Sequence, residues 1–117
     1  MALPHDEDIQ TDLLRLLSIA PEGSMHCRDV YRKLAKNYSH LSHDELTLPY
    51  RNSLSHWANR VQFARLHLVK KGWVLPSATG GGRGYWTISP KGRKTLVDLE
   101  KLGKKLLAEL ETPGNKR

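Results

Sequence analysis

Nine lysines and arginines lie between Arg51 and Val97, in a stretch with no aspartate and no glutamate: Arg51, Arg60, Arg65, Lys70, Lys71, Arg83, Lys91, Arg93 and Lys94. Residues 1–50 have the opposite balance, eight acids against five Lys/Arg. Cations gathered in this way suit a polyanion, because each one set near a phosphate releases a condensed counterion. Asparagine and arginine add base selectivity to such a surface. An Asn amide pairs with two atoms of an adenine edge, and an Arg guanidinium with two atoms of a guanine edge. Asn59 and Arg60 place both types side by side. Catalytic chemistry is harder to assemble. Metal-assisted cleavage of a phosphodiester needs carboxylates at the phosphate, and the acids avoid the basic stretch. Cys27 is the only cysteine, with His26 its one evident activating neighbour. His26-Cys27 and His40-x-x-His43 do not complete a zinc ligand pattern. Gly80-Gly-Gly-Arg-Gly84 precedes a strand instead of a helix and has no following Gly-Lys-Ser/Thr, so it is not a nucleotide-phosphate loop. No catalytic residue, metal or cofactor is expected in this chain.

The elements that must position these residues are legible from periodicity. Ile9, Leu13, Leu16 and Leu17 mark one face of a helix over Asp6–Ile19, whose first turn is acidic as the helix dipole favours. Pro21-Glu22-Gly23 ends it in a turn. A second helix is predicted from Cys27 to Tyr38, burying Val30, Tyr31, Leu34 and Tyr38. Ser42-x-x-Glu45 has capping-box spacing, so a short helical turn follows. The third long helix is predicted over Ser53–Lys71, with Trp57, Val61, Ala64 and Leu68 as its core stripe and Gly72 as its stop. Beyond Gly72 the period changes to that of strands. Trp73–Ser77 and Tyr85–Ser89 are read as a hairpin around the glycine-rich tip. Ser89-Pro90 then starts a last helix that runs to about Glu111.

With 117 residues, a net charge of +7 and a pI near 9.8, the chain fits one small domain with an anionic partner. That domain is expected to span 1–111, with 112–117 a disordered tail or linker. No apolar run approaches the roughly 18 residues needed to cross a bilayer. With no signal-peptide pattern and a single cysteine, a cytoplasmic protein is expected. The last helix carries Leu96, Leu99, Gly103, Leu106 and Leu110 at heptad-like spacing. The part of that stripe beyond the domain core is a candidate pairing face for a homodimer.

Helix, turn, helix, long helix, then a Gly-tipped hairpin is the order of a winged helix-turn-helix, an α+β and mostly helical fold whose third helix enters the major groove of DNA. With Trp57, Val61, Ala64 and Leu68 inward, the outer face carries Asn52, His56, Asn59, Phe63, Leu66 and Lys70, with Arg60 and His67 on one flank. Asn59 and Arg60 are candidate base readers, His56 a phosphate or base contact, and Phe63 a contact for a thymine methyl or a methylated base. Arg51, Lys91 and Arg93 are candidate phosphate contacts, and Arg83, between glycines, a candidate for a narrow minor groove. Arg65 falls near the core edge, where it is expected to pair with an acid of the first half. Trp57, Trp73 and Trp86 are expected in the core.

The run from Trp57 to Val74, WANRVQFARLHLVKKGWV, resembles the central helix of the Mrr-type restriction-system N-terminal domain. Gly84-Tyr-Trp-Thr-Ile-Ser-Pro-Lys-Gly-Arg is similar to that family's wing strand and the helix start after it. The resemblance covers roughly residues 3–99. It implies a DNA-recognition module, usually joined to a downstream nuclease domain that acts on modified foreign DNA. A transcription regulator of the same fold and a protein-interaction winged helix are the alternatives.

Overall fold

The computed structural model describes residues 4–76 and 84–111. The architecture is α+β and mostly helical, with five helices and a two-stranded antiparallel sheet among the described residues. In chain order these are α1 (Asp6–Ile19), a tight turn at Pro21–Gly23, β1 (Ser24–His26), α2 (Cys27–Ala35), the short α3 (His43–Thr47), α4 (His56–Lys71), β2 (Tyr85–Thr87) and α5 (Pro90–Glu111). The helix read third from the sequence is α4. The glycine-rich tip with Arg83, and the tail 112–117, lie outside the described residues.

The core forms where α1, α2 and α4 meet. Ile9, Leu13, Leu14 and Leu17 of α1 face Trp57, Val61, Ala64 and Leu68 of α4, and Val30, Tyr31 and Leu34 close the third side. Leu14 takes an inner place in the α1 stripe and Leu16 sits at its margin, half-buried. Trp86 and Ile88 close one end of the core from the sheet, and Leu96 joins it from α5. Trp86 meets Tyr31 edge-on at 5.7 Å, an arrangement that aromatic quadrupoles favour. Burial pushes the Tyr31 hydroxyl up to about 12, against the opposing effect of its hydrogen bond from Gln62. Burial also raises the Tyr38 hydroxyl, reinforced by its bond to Asp12 of α1.

Two helix boundaries are tighter than the periodicity suggests. α2 ends at Ala35, and Tyr38 reaches the core margin from the turn that follows. α4 begins at His56 because Ser55 caps it, its Oγ accepting from the Ala58 N–H at 3.0 Å. A Tyr50–Ser53 bridge closes the preceding turn, with Arg51 at φ 55°. The capping box at Ser42 and Glu45 is complete, and the Ser42 N–H bond holds the Glu45 carboxyl below its usual range. Gly72 stops α4 in the left-handed conformation, φ 81°, with Trp73 N–H returning to the Leu68 carbonyl.

The sheet differs from the sequence reading. β2 pairs with β1, in the register Ser24–Thr87, Met25–Trp86 and His26–Tyr85, and Ser24–His26 was assigned to no element from the sequence. The segment after Gly72 joins β2 at a single Val74–Ile88 bridge, supported by Leu75 N–H to Thr87 O and Ser89 N–H to Trp73 O. Of the expected hairpin the described residues show only this bridge, and the strand paired with β2 is β1.

Ser89 locks α5 to the end of α4. Its Oγ accepts from the Gly92 N–H at 2.9 Å and donates to the Gly72 carbonyl at 2.6 Å. The first turn of α5 presses so closely that a Cβ on Gly92 would fall 2.1 Å from the Trp73 carbonyl oxygen. Gly92→Ala should therefore displace α5 and lower stability by about 3 kcal/mol, at the upper end of overpacking costs. Urea unfolding followed by circular dichroism measures it, and an unchanged midpoint would contradict this packing.

Candidate functional site

The first half of α4 and the turn before it form an open groove of about 360 Å³. Tyr50, Arg51, His56, Asn59, Arg60, Phe63, His67 and Asp6 line it. The α4 members recur at spacings of 3, 1, 3 and 4, one side of the helix over about 16 Å. The side opposite is anchored by Trp57, Val61, Ala64 and Leu68, all at most 1% exposed. Helix geometry then turns the groove residues outward, and Phe63 is 51% exposed. Neither packing of Phe63 on a neighbouring helix nor stacking of bases on Trp57 agrees with this arrangement.

Local contacts set the orientation of each groove side chain. The Tyr50 and His56 rings stack at 4.1 Å, tilted by 16°. The Arg51 guanidinium sits over the Tyr50 ring of that stack, 5.3 Å from its centroid. Left-handed backbone at a residue other than glycine costs free energy and persists only where neighbours enforce it. Here the Tyr50–Ser53 bridge and the ring contact do so. Ser53 Oγ lies 3.2 Å from Asn59 Oδ1 and 3.0 Å from Gln62 Oε1, and donates its one proton to either. Gln62 in turn donates to the Tyr31 hydroxyl at 2.8 Å. The Asn59 and Gln62 side chains thus compete for the one Ser53 proton, and Gln62 is the one of the two tied to the core through Tyr31.

Of the residues singled out by type, Arg51, His56, Asn59, Arg60 and Phe63 come together in this groove. Asn52 is exposed in the turn beside Arg51. Lys91 and Arg93 are at the opposite end of α4: the Lys91 chain runs past Gly72, and the Arg93 guanidinium lies against Gly23. Three other cations of the basic stretch are held by structural partners. Arg65 lies over the Trp86 ring at 5.5 Å, and loss of water lowers its pKa. Lys71 donates to Gln10 Oε1 at 2.8 Å and sits over Trp73, and Lys94 bonds Asp98 at 3.3 Å.

Sequence reasoning missed Tyr50 and Asp6, and left His67 on the flank. His67 follows Arg60 by seven residues and Phe63 by four, so its place was readable. Asp6 corrects the view that acids avoid the basic face. The N-terminus of α1 packs beside α4, which puts Asp6 Oδ2 2.8 Å from His67 Nδ1 and in contact with Gln10. Asp44 and Glu45 of α3 also border the far side of the Tyr50–His56 stack. The groove is therefore basic at Arg51 and Arg60 and acidic along two margins. Among the described residues no group of histidine, cysteine and acids could hold a metal ion, and no helix is long and apolar enough to cross a membrane.

Residues 10–98 match the family model described as the Mrr N-terminal domain, while no curated protein matches the chain. The matched span runs from the first turns of α1 into α5 and includes every groove residue except Asp6. The α4 helix, its Gly72 stop and the Ser89-Pro90 start of α5 are thus parts of a shared domain, and the chain belongs to the Mrr N-terminal domain family.

Proposed function

We propose that this chain is a double-stranded DNA-binding module with winged helix-turn-helix architecture, the DNA-recognition part of a restriction system. The observation that carries this reading is the groove that collects Arg51, His56, Asn59, Arg60 and Phe63 on the outer side of α4. α4 has no acid in its first turn, and its N-terminal dipole adds positive potential beside His56 and Asn59. Asn59 and Arg60 read base edges in the major groove, Arg51 and Asn52 hold the adjacent backbone, and exposed Phe63 meets a thymine methyl or a methyl on a modified base. The segments around Val74 and β2 form the base of the wing, whose tip carries Arg83. Lys91 and Arg93 extend the phosphate track from the far end of α4. Recognition is the whole of this module's task, with cleavage belonging to a nuclease domain of the complete protein.

A protein partner is the second reading, and a separate groove of about 460 Å³ favours it. Leu46, Leu54 and Ala35 line that groove, with Arg28 and Arg32 at its rim. Fluorescence anisotropy with matched unmodified, cytosine-modified and adenine-methylated duplexes, at two salt concentrations, separates the readings. Salt-sensitive duplex binding is expected, and a preference for one modified duplex would identify a modification reader. Absence of binding at low salt would reject the DNA reading and leave the protein partner.

A further inference from the structure

A phosphate chain alone does not account for the composition of the groove along α4. Its margins are acidic, with Asp6 on one and Asp44 and Glu45 beyond the Tyr50–His56 stack on the other. Carboxylates repel phosphate but accept the amino donors of an uncharged base edge. Its walls are aromatic: Tyr50 and His56 stack at 4.1 Å, and Phe63 is 51% exposed. Asn59 and Arg60, both half-buried, lie between these walls. Among the described residues neither the Asn59 Nδ2 nor the Arg60 guanidinium has a hydrogen-bond partner, so both keep bonding capacity for an occupant.

We infer, resting on the DNA reading of this groove, that it seats one unstacked nucleobase between His56 and Phe63, its edge against Asn59 and Arg60. Helix geometry supplies the spacing. Residues seven apart project within about 20° of each other and about 10.5 Å apart along the axis. A base held between two rings needs about twice the 3.4 Å interval of stacked bases, so the gap is wide enough. Asn59 and Arg60 rise about 4.5 and 6 Å above His56 and flank the line from His56 to Phe63, where the edge of a seated base falls. The groove volume of about 360 Å³ lies in the lower range of small-ligand pockets. The Tyr50 ring backs His56, so a seated base extends a stack that already exists. Stacking accepts any base, since each has a π-face, and the edge contacts then select among them. Arg51 and Asn52, exposed in the turn beside the groove, hold the phosphates that flank the seated base.

A base leaves its stack at a cost that is smallest where it is already unpaired, and this gives the test. Anisotropy titrations of the full chain compare three probes of one sequence: a fully paired duplex, the same duplex with one unpaired nucleotide, and the single strand. The probe that presents a free base should bind about tenfold or more tightly than the paired duplex. Tightest binding to the interrupted duplex assigns the seat to a base turned out of a duplex, and tightest binding to the single strand assigns it to a strand. Phe63→Ala should weaken binding of the preferred probe by about 5- to 150-fold and bring its ratio to the paired duplex close to one. Phe63→Leu keeps an apolar contact for a methyl group but no stacking plane, and should behave as the alanine variant does. The exposed position of Phe63 lets both variants fold. Equal binding of all three probes by wild type would overturn the seat while leaving the DNA reading in place. So would a Phe63→Leu variant that binds as wild type does. Absence of binding to every probe would remove the DNA reading and the seat with it.

Discussion

Trp57→Ala is expected to remove about 3–5 kcal/mol of folding stability. Trp57 is 1% exposed and fills the space between α2 and α4. Its indole Nε1–H donates to the Tyr31 carbonyl at 2.8 Å, and Tyr38 packs against its ring at 5.6 Å. Alanine loses the transfer free energy of the indole, leaves a cavity that helix backbones cannot collapse into, and removes a buried donor. Small domains hold only about 5–15 kcal/mol in total, so this one change should remove a substantial share of the stability. Trp57→Phe should cost less, since it keeps an aromatic ring but loses the bond to Tyr31. Chemical denaturation monitored by circular dichroism checks both, and a Trp57→Ala midpoint equal to wild type would remove Trp57 from the core.

The second large effect belongs to the groove. Under the DNA reading, Arg60→Ala should weaken binding to the preferred duplex by about 1–3 kcal/mol, roughly 5- to 150-fold, with a smaller loss on unrelated sequences. Arg51→Ala should weaken all duplexes alike and lower the slope of log affinity against log salt by about 0.9, one phosphate contact. The structure adds a change of opposite sign. Asp6 is an acid on the rim of the groove, bonded to His67, so Asp6→Asn should raise affinity at low salt. Anisotropy titrations at several salt concentrations measure all three. If the Arg60 and Arg51 variants both bind as wild type does, the groove is not the DNA surface.

Much of this arrangement was readable before any coordinates. The span of α1, the start of α5 at Ser89-Pro90, the capping box at Ser42 and the Gly72 stop depend on residues within a few positions of each other. Sequence spacing reports such interactions directly. The core stripe of α4 was readable for the same reason: the helix period fixes the angle between Trp57, Val61, Ala64 and Leu68, and the large apolar side must be the buried one. From that single choice the outward placement of His56, Asn59 and Phe63 follows.

What lay beyond the sequence depends on partners far along the chain. β1 is three residues, Ser24–His26, without an alternating apolar pattern, and it becomes a strand only because β2 supplies its hydrogen bonds some sixty residues later. Arg65 was expected to face an acid, but its place over Trp86 is decided by where the sheet packs against α4.

From the residues alone came the helical frame, the basic stretch and the outer face of α4, because local periodicity and residue type determine these. The tertiary structure decided which flank of that face is hollow, that Asp6 enters it, that Lys91 and Arg93 stand at its far end, and that the last ten described side chains of α5 stand clear of the domain. The physical reason is that a helix period sets the angles between side chains within one element, whereas the neighbour found at each angle is set by how separate elements pack.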